Sequence, residues 1–336
     1  MHPFFLKAFL ACLALSTAMP IPESVASSKA DRDTLYVEGR HLHTAAGEQV
    51  VMRGVNEMFV WSDDPQGNAI YPEIAQSNAN VVRIVWTTKG SIADLDANIA
   101  NCLAHKMIPM VELHDATGDL SKVDEVVDFW LRPEMLDTIE KHKKWFILNI
   151  ANEAGSSRTK PKEFIATYSD AITRLRSAGV TVPLIIDSSD WGKDEKMILA
   201  TWKDLQAADP LKNLMFSVHT YWVKDQQARL DSLVKTVVDQ QLPFLFGEGP
   251  QQVGYDCESV FPWQNLLAQC QENEIGWIAW SWGYNDNGDC HPGKFDMTKD
   301  GAYGNWENDW GRGLVAEDPN SILNTSIRPA SLLAQD

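Results

Sequence analysis

A closed (β/α)8 TIM barrel, built as a single domain of the α/β class, is predicted by three features of this 336-residue chain. Eight short β-rich apolar runs recur along it, amphipathic stretches separate them, and no glycine-rich phosphate turn follows the first run. Strands alternating with helices predict a parallel sheet, and eight such units in one domain predict closure. An open doubly wound sheet would carry that glycine-rich turn; here the first run ends in Gly54-Val55-Asn56.

The runs are Val50–Asn56, Asn80–Trp86, Met107–Leu113, Trp145–Ala151, Val182–Asp187, Leu214–His219, Leu242–Phe246 and Gly276–Trp282. Between them, Ile92–Lys106, Lys162–Ala178, Ala228–Gln240 and Trp263–Asn273 carry apolar residues at helical spacing. Ahead of the first run, Leu35–Val37 and Arg40–His43 predict a short N-terminal hairpin covering the barrel floor. At the N-terminus, Lys7 precedes an apolar run from Ala8 to Ala18, with Pro20, Pro22 and Ser24-Val25-Ala26 after it. That pattern reads as a signal peptide over residues 1–26, too short for a permanent membrane anchor. Residues 27–336 are then the barrel, exported as a secreted, extracellular monomer.

A formal net charge of −17 argues against nucleic acid as a partner, because that binding rests on neutralising phosphates with Lys and Arg. No later segment is apolar enough for a membrane partner. Beyond the leader lie Cys102, Cys257, Cys270 and Cys290, which allow three full pairings in an oxidising compartment. Cys257 with Cys290 is the expected disulfide, since both lie in Gly/Asp-rich loops after adjacent strands. No Cys-x-x-Cys spacing suggests a metal, and the acidic Asp286-Asn287-Gly288-Asp289 stretch reads as a turn. No cofactor is expected.

Chemistry in such barrels gathers at the C-terminal ends of the strands. Arg83 lies within the second run, and His114 ends the third. Asn152 and Glu153 end the fourth, His219 and Tyr221 the sixth and Glu248 the seventh; Trp280 lies in the eighth. Burying one such polar group costs several kcal/mol unless it is paired, so many at one face point to a shared site. Two carboxylates held across a glycosidic bond are the minimal equipment for glycoside hydrolysis. Thirteen tryptophans add to this: Trp61, Trp86, Trp191, Trp222, Trp280 and Trp282 fall at strand ends or in the loops after them. Flat aromatic faces suit pyranose rings. Trp280 is expected beneath the sugar at the cleavage point, with Trp86, Trp191 and Trp282 along the cleft. Strand alternation would put Trp282 on the side of Trp280 and Trp277 on the other. Trp61 and Trp222 fit binding and packing equally well, while Trp130, Trp145 and Trp277 are expected in the core.

The set Arg83, His114, Asn152, Glu153, His219, Tyr221, Glu248 and Trp280 resembles the eight-residue signature of glycoside hydrolase family 5 (clan A). Met52–Asn56, Glu112–Asp115, Asp187–Gly192, Ala279–Trp282 and the tail with Asn305-Trp306 and Trp310-Gly311 resemble its bacterial-type endo-β-1,4-mannanases. Where family members often carry Pro after the acid and Phe after the nucleophile, this chain has Ala154 and Gly249. The resemblance implies a retaining mechanism on mannan or glucomannan, with Glu153 as acid/base and Glu248 as nucleophile. Asn152 would donate to the sugar 2-hydroxyl, and Arg83 with Tyr221 would keep Glu248 ionised. On sequence alone, inversion with Glu248 as base stays open. So do cellulose as substrate (an endo-β-1,4-glucanase) and, from another class, a catalytically inactive glycan-binding barrel.

Overall fold

The computed structural model describes residues 1, 32–285, 290 and 295–334. Apart from Met1, the leader lies outside the described residues, as does the 286–289 turn. Residues 33–336 form one compact unit. Its barrel strands are β4 (Arg53–Glu57), β5 (Val81–Trp86), β6 (Ile108–Leu113), β7 (Ile147–Asn149), β8 (Leu184–Asp187), β9 (Leu214–His219), β10 (Phe244–Glu248) and β11 (Gly276–Ala279). They pair in parallel in the order β10-β11-β4-β5-β6-β7-β8-β9, and the β9–β10 pair closes the ring. All eight predicted runs thus become the eight barrel strands.

Three strands precede them: β1 (Tyr36–Glu38), β2 (His41–His43) and β3 (Gln49–Val50), an antiparallel sheet. Leu42 and Val50 of that sheet pack with Val81, Ile108, Ile147, Ile185, Leu245 and Ile278, which lie towards the strands' N-terminal ends, so the sheet does cover the barrel floor. Sequence reading placed Val50 in the first barrel strand. A turn at Gly47, with the Thr44 amide donating to the Glu48 carbonyl, instead pairs Val50 with Leu42.

Between the strands, helices cover the outside of the barrel. Ser91 caps Ile92–Ala104 by accepting from the Asp94 amide, and Pro161 opens Pro161–Ser177, where its missing N–H costs nothing. Two local departures matter at the C-terminal end of the barrel. The register of β10 against β9 shifts between Phe246 and Glu248, so Gly247 is an extra residue that brings Glu248 beside His219. A Cβ at Gly247 would stand 2.2 Å from the Ser217 hydroxyl. The other departure is in the last strand, which stops at Ala279 rather than Trp282. Past it, the Ser281 amide donates to the Phe295 carbonyl and the Trp282 amide to that of Asn56.

Candidate active site

Arg83 organises the floor of the site. It projects into the barrel from β5, fully buried. Its Nε donates to Asn149 (2.9 Å), Nη1 to Asn56 and Glu248 (both 3.0 Å), and Nη2 to Asn152 (2.7 Å) and Asp187 (3.0 Å). Glu112 lies 4.0 Å away. Burial alone would push this guanidinium down, but Asp187, Glu112 and Glu248 outweigh it and raise its pKa. Despite burial, two cations keep Asp187 well below the usual carboxylate range, His219 contributing most and Arg83 next.

Above this floor sit the two glutamates. Glu248 accepts from Arg83 and from the Tyr221 hydroxyl at 2.8 Å. Glu153 lies four residues beyond β7, with φ +48°, a left-handed conformation that costs a non-glycine residue about 1–3 kcal/mol. Two bonds hold it there: its amide reaches Asp187 (3.4 Å), and its carbonyl accepts from the Gly118 amide (3.0 Å). His219 Nδ1 stands 2.6 Å from Glu153 Oε1 and 3.5 Å from Glu248 Oε1. One carboxylate oxygen of each glutamate and a His219 nitrogen all lie within 4.8 Å of one another.

Burial pushes all three groups towards neutrality, and the contacts decide the outcome. For Glu153, the hydrogen bond and charge of His219 outweigh burial and hold the carboxyl below its usual value. For Glu248, burial and the Glu153 charge prevail over His219 and Arg83, so its pKa is raised. Burial lowers His219, but Glu248, Asp187 and Glu153 lift it to about 10. These contacts therefore favour the proton on His219 over Glu153, the reverse of what an acid poised to donate suggests. A stability consequence follows. Between the ordinary imidazole value of 6.5 and about 10, the folded chain holds a proton that the unfolded chain releases. The His219 contribution is complete below that window and is lost as pH rises through it. Urea unfolding is expected to show stability declining from pH 6.5 to 10, and a His219→Gln variant should show a shallower decline.

A cleft of about 630 Å³ opens over the pair, lined by His114, Thr117, Glu153, Asp190, Trp191, Lys193, Tyr221, Glu248, Tyr255, Trp280 and Phe295. Trp280 packs on Met58, Val85, Val253 and Phe295, and the His114 ring lies 6.0 Å from it at 25°. His114 Nδ1 is 2.9 Å from Glu112, and Trp61 meets His114 edge-on at 5.4 Å. The expected Cys257–Cys290 disulfide is present, with both residues on the cleft wall. Cys102 and Cys270 are buried free thiols.

Two expected cleft residues are elsewhere. Trp86 is 1% exposed: alternation from inward-facing Arg83 turns Val85 in and Trp86 out, under the helices. Trp282 is 0% exposed and donates to the Gly301 carbonyl; because β11 ends at Ala279, alternation no longer ties it to Trp280. Trp222 is buried too, its indole donating to the Lys193 carbonyl beneath the Arg229 guanidinium. Trp130, Trp145 and Trp277 are core residues as expected. Asn152 is buried, its amide donating to the Thr117 hydroxyl at 2.9 Å, one bond behind the cleft. Asn56, Glu112, Asn149 and Asp187 were not picked out as site residues, although each is a polar residue within or at the end of an apolar run, the signal that exposed Arg83 and Glu248.

The sequence profile of the family described as Cellulase (glycosyl hydrolase family 5) matches residues 43–286. A mannan endo-1,4-beta-mannosidase from Salipaludibacillus agaradhaerens is 34% identical over 310 residues, covering 90% of this chain and 96% of the relative. Among solved structures, the mannanase catalytic domain from Streptomyces sp. SirexAA-E superposes with TM-score 0.79 at 27% identity, over 95% of this chain and 99% of that one. The mannohexaose complex of Thermomonospora fusca beta-mannanase gives TM-score 0.79 at 26% identity, over 90% and 100%.

Proposed function

The chain belongs to glycosyl hydrolase family 5, and on that premise we propose that it cleaves internal β-1,4-mannosidic bonds of mannan or glucomannan with retention. Glu248 is the nucleophile and Glu153 the acid/base. The approach of their carboxylates within 4.8 Å carries this reading. Retention needs carboxyl groups about 5–5.5 Å apart, whereas inversion leaves roughly 6.5–9.5 Å for a water.

In the first step a Glu248 oxygen bonds to the anomeric carbon while the bond to the leaving oxygen breaks, and Glu153 protonates that oxygen. The proton reaches Glu153 across its 2.6 Å contact with His219. Arg83 and Tyr221 stabilise the Glu248 carboxylate before attack and as it departs. In the second step Glu153 takes a proton from water, the water oxygen bonds to the anomeric carbon, and Glu248 is released. Asn152 exchanges its Thr117 bond for the sugar 2-hydroxyl, a contact that strengthens as positive charge develops on the ring. Trp280 underlies that ring.

Export is part of this reading. The 1–26 leader and the Cys257–Cys290 disulfide both fit an oxidising, extracytoplasmic compartment. No helix among the described residues is long and apolar enough to cross a membrane.

The test is a substrate panel of mannan, glucomannan and carboxymethyl cellulose, followed by viscosity and reducing ends. Mannan-type polymers are expected to give the highest kcat/KM, with viscosity falling ahead of reducing ends, as internal cleavage requires. A higher rate on carboxymethyl cellulose would overturn the mannan assignment. No hydrolysis of any polymer would favour a glycan-binding barrel.

A further inference from the structure

Lys193 is unused by the chemistry above, yet it lines the same cleft as both glutamates. Its ammonium lies 5.1 Å from the centre of the Trp191 ring and 5.5 Å from that of Tyr255, within cation–π reach of both. These rings are 45% and 64% exposed, among the most open large aromatics of the fold. They come from different loops, after β8 and β10. An ammonium has three donors. Among the described residues, the one hydrogen bond this group makes is to the Asp190 carbonyl, at 2.7 Å. Two donors are left facing a cleft built to hold a hydroxyl-rich chain.

The side of the cleft follows from Gly192. Its backbone sits so close to the acid/base that a Cβ there would lie 2.9 Å from Glu153 Oε1 and 2.6 Å from His219 Nδ1. The segment bearing Trp191 and Lys193 therefore begins at the carboxyl that protonates the leaving oxygen. Trp280, under the ring that stays on Glu248, follows β11, three strands further round the barrel. A wall that starts at Glu153 on the far side from Trp280 meets the departing part of the glycan.

We propose that Lys193 determines leaving-group specificity: held between Trp191 and Tyr255, its ammonium donates hydrogen bonds to hydroxyls of the first departing sugar. In the second step the same donors hold an incoming sugar, so they also favour transfer to sugar over transfer to water. This rests on the retaining reading above, with Glu153 as acid/base.

The experiment compares Lys193→Met with wild type on two substrates: β-1,4-mannopentaose, whose leaving group is a sugar, and an aryl β-mannobioside, whose leaving group offers no such hydroxyls. Losing a charge-assisted hydrogen bond should lower kcat/KM on mannopentaose by about 10- to 100-fold, while the aryl substrate is hydrolysed as by wild type. Lys193→Arg, which keeps charge and donors, should recover much of the loss. The Lys193 carbonyl that accepts from Trp222 and Arg229 belongs to the backbone and survives either substitution. Equal losses on both substrates would mean that Lys193 acts through the fold or through Glu153, and would overturn the inference. An unchanged rate on mannopentaose would also overturn it. Failure of the wild type on both substrates would instead sink the reading beneath it.

Discussion

Glu248→Ala is expected to lower kcat on mannan by on the order of 10⁶-fold, as removal of a covalent nucleophile does. Far-UV circular dichroism should be unchanged, because Glu248 ends a strand whose Leu245 and Phe246 remain in the core. Glu153→Ala should cost less, about 10²- to 10⁴-fold, the usual contribution of a general acid–base group. The two variants should also differ in kind. An activated aryl leaving group needs little protonation, so it should rescue the first step of Glu153→Ala and leave Glu248→Ala inert. Added azide should restore turnover to Glu153→Ala by attacking the glycosyl-enzyme without a base. Steady-state assays on mannan and an aryl mannobioside, with and without azide, read all of this. Rescue of Glu248→Ala by the aryl substrate alone would reverse the two roles.

Arg83→Ala is expected to damage stability most. The guanidinium is enclosed by Asp187, Glu248 and Glu112 and also bonds Asn56, Asn149 and Asn152. Removing it strands several buried carboxylates with no cation except the histidines. Breaking a buried pair from one side typically costs about 3–5 kcal/mol. The loss should appear in urea unfolding near neutral pH. Acidification should partly repair it, because protonating the stranded carboxylates removes their uncompensated charge. A variant as stable as wild type at pH 7 would show that these carboxylates do not depend on Arg83.

Much of this arrangement was legible in the sequence because barrel strands are buried on both faces. Val81–Trp86 and Leu214–His219 are nearly continuous apolar runs, so a lone Arg83 or a terminal His219 stands out against them. Glu153 and Glu248 were visible for the same reason, and so was the floor-covering hairpin from Leu42 and its neighbours. What failed was detail set by the path of the chain rather than by composition. Trp86 and Trp191 look alike as aromatic residues near strand ends. One is turned under the helices by strand alternation, and the other stands on a loop with a left-handed backbone (φ +53°). Trp282 was misplaced because alternation was extended past Ala279, where the ladder ends. Lys193 and Tyr255 went unnoticed because loop residues carry no periodicity to contradict. The resting place of the proton could not be read either, since it depends on the 2.6 Å approach of His219 to Glu153, residues 66 positions apart.

The most direct test of the central claim, that one sugar linkage lies between these two carboxylates with Glu248 attacking, is to trap the covalent intermediate. A 2-deoxy-2-fluoro mannobiosyl fluoride slows both steps but keeps an excellent leaving group, so the glycosyl-enzyme should accumulate. Peptide mass mapping should then find one disaccharide ester, on the peptide containing Glu248 and on that residue. A label on Glu153 or any other carboxylate, or full turnover of a β-mannoside with inverted product and no label, would contradict the account.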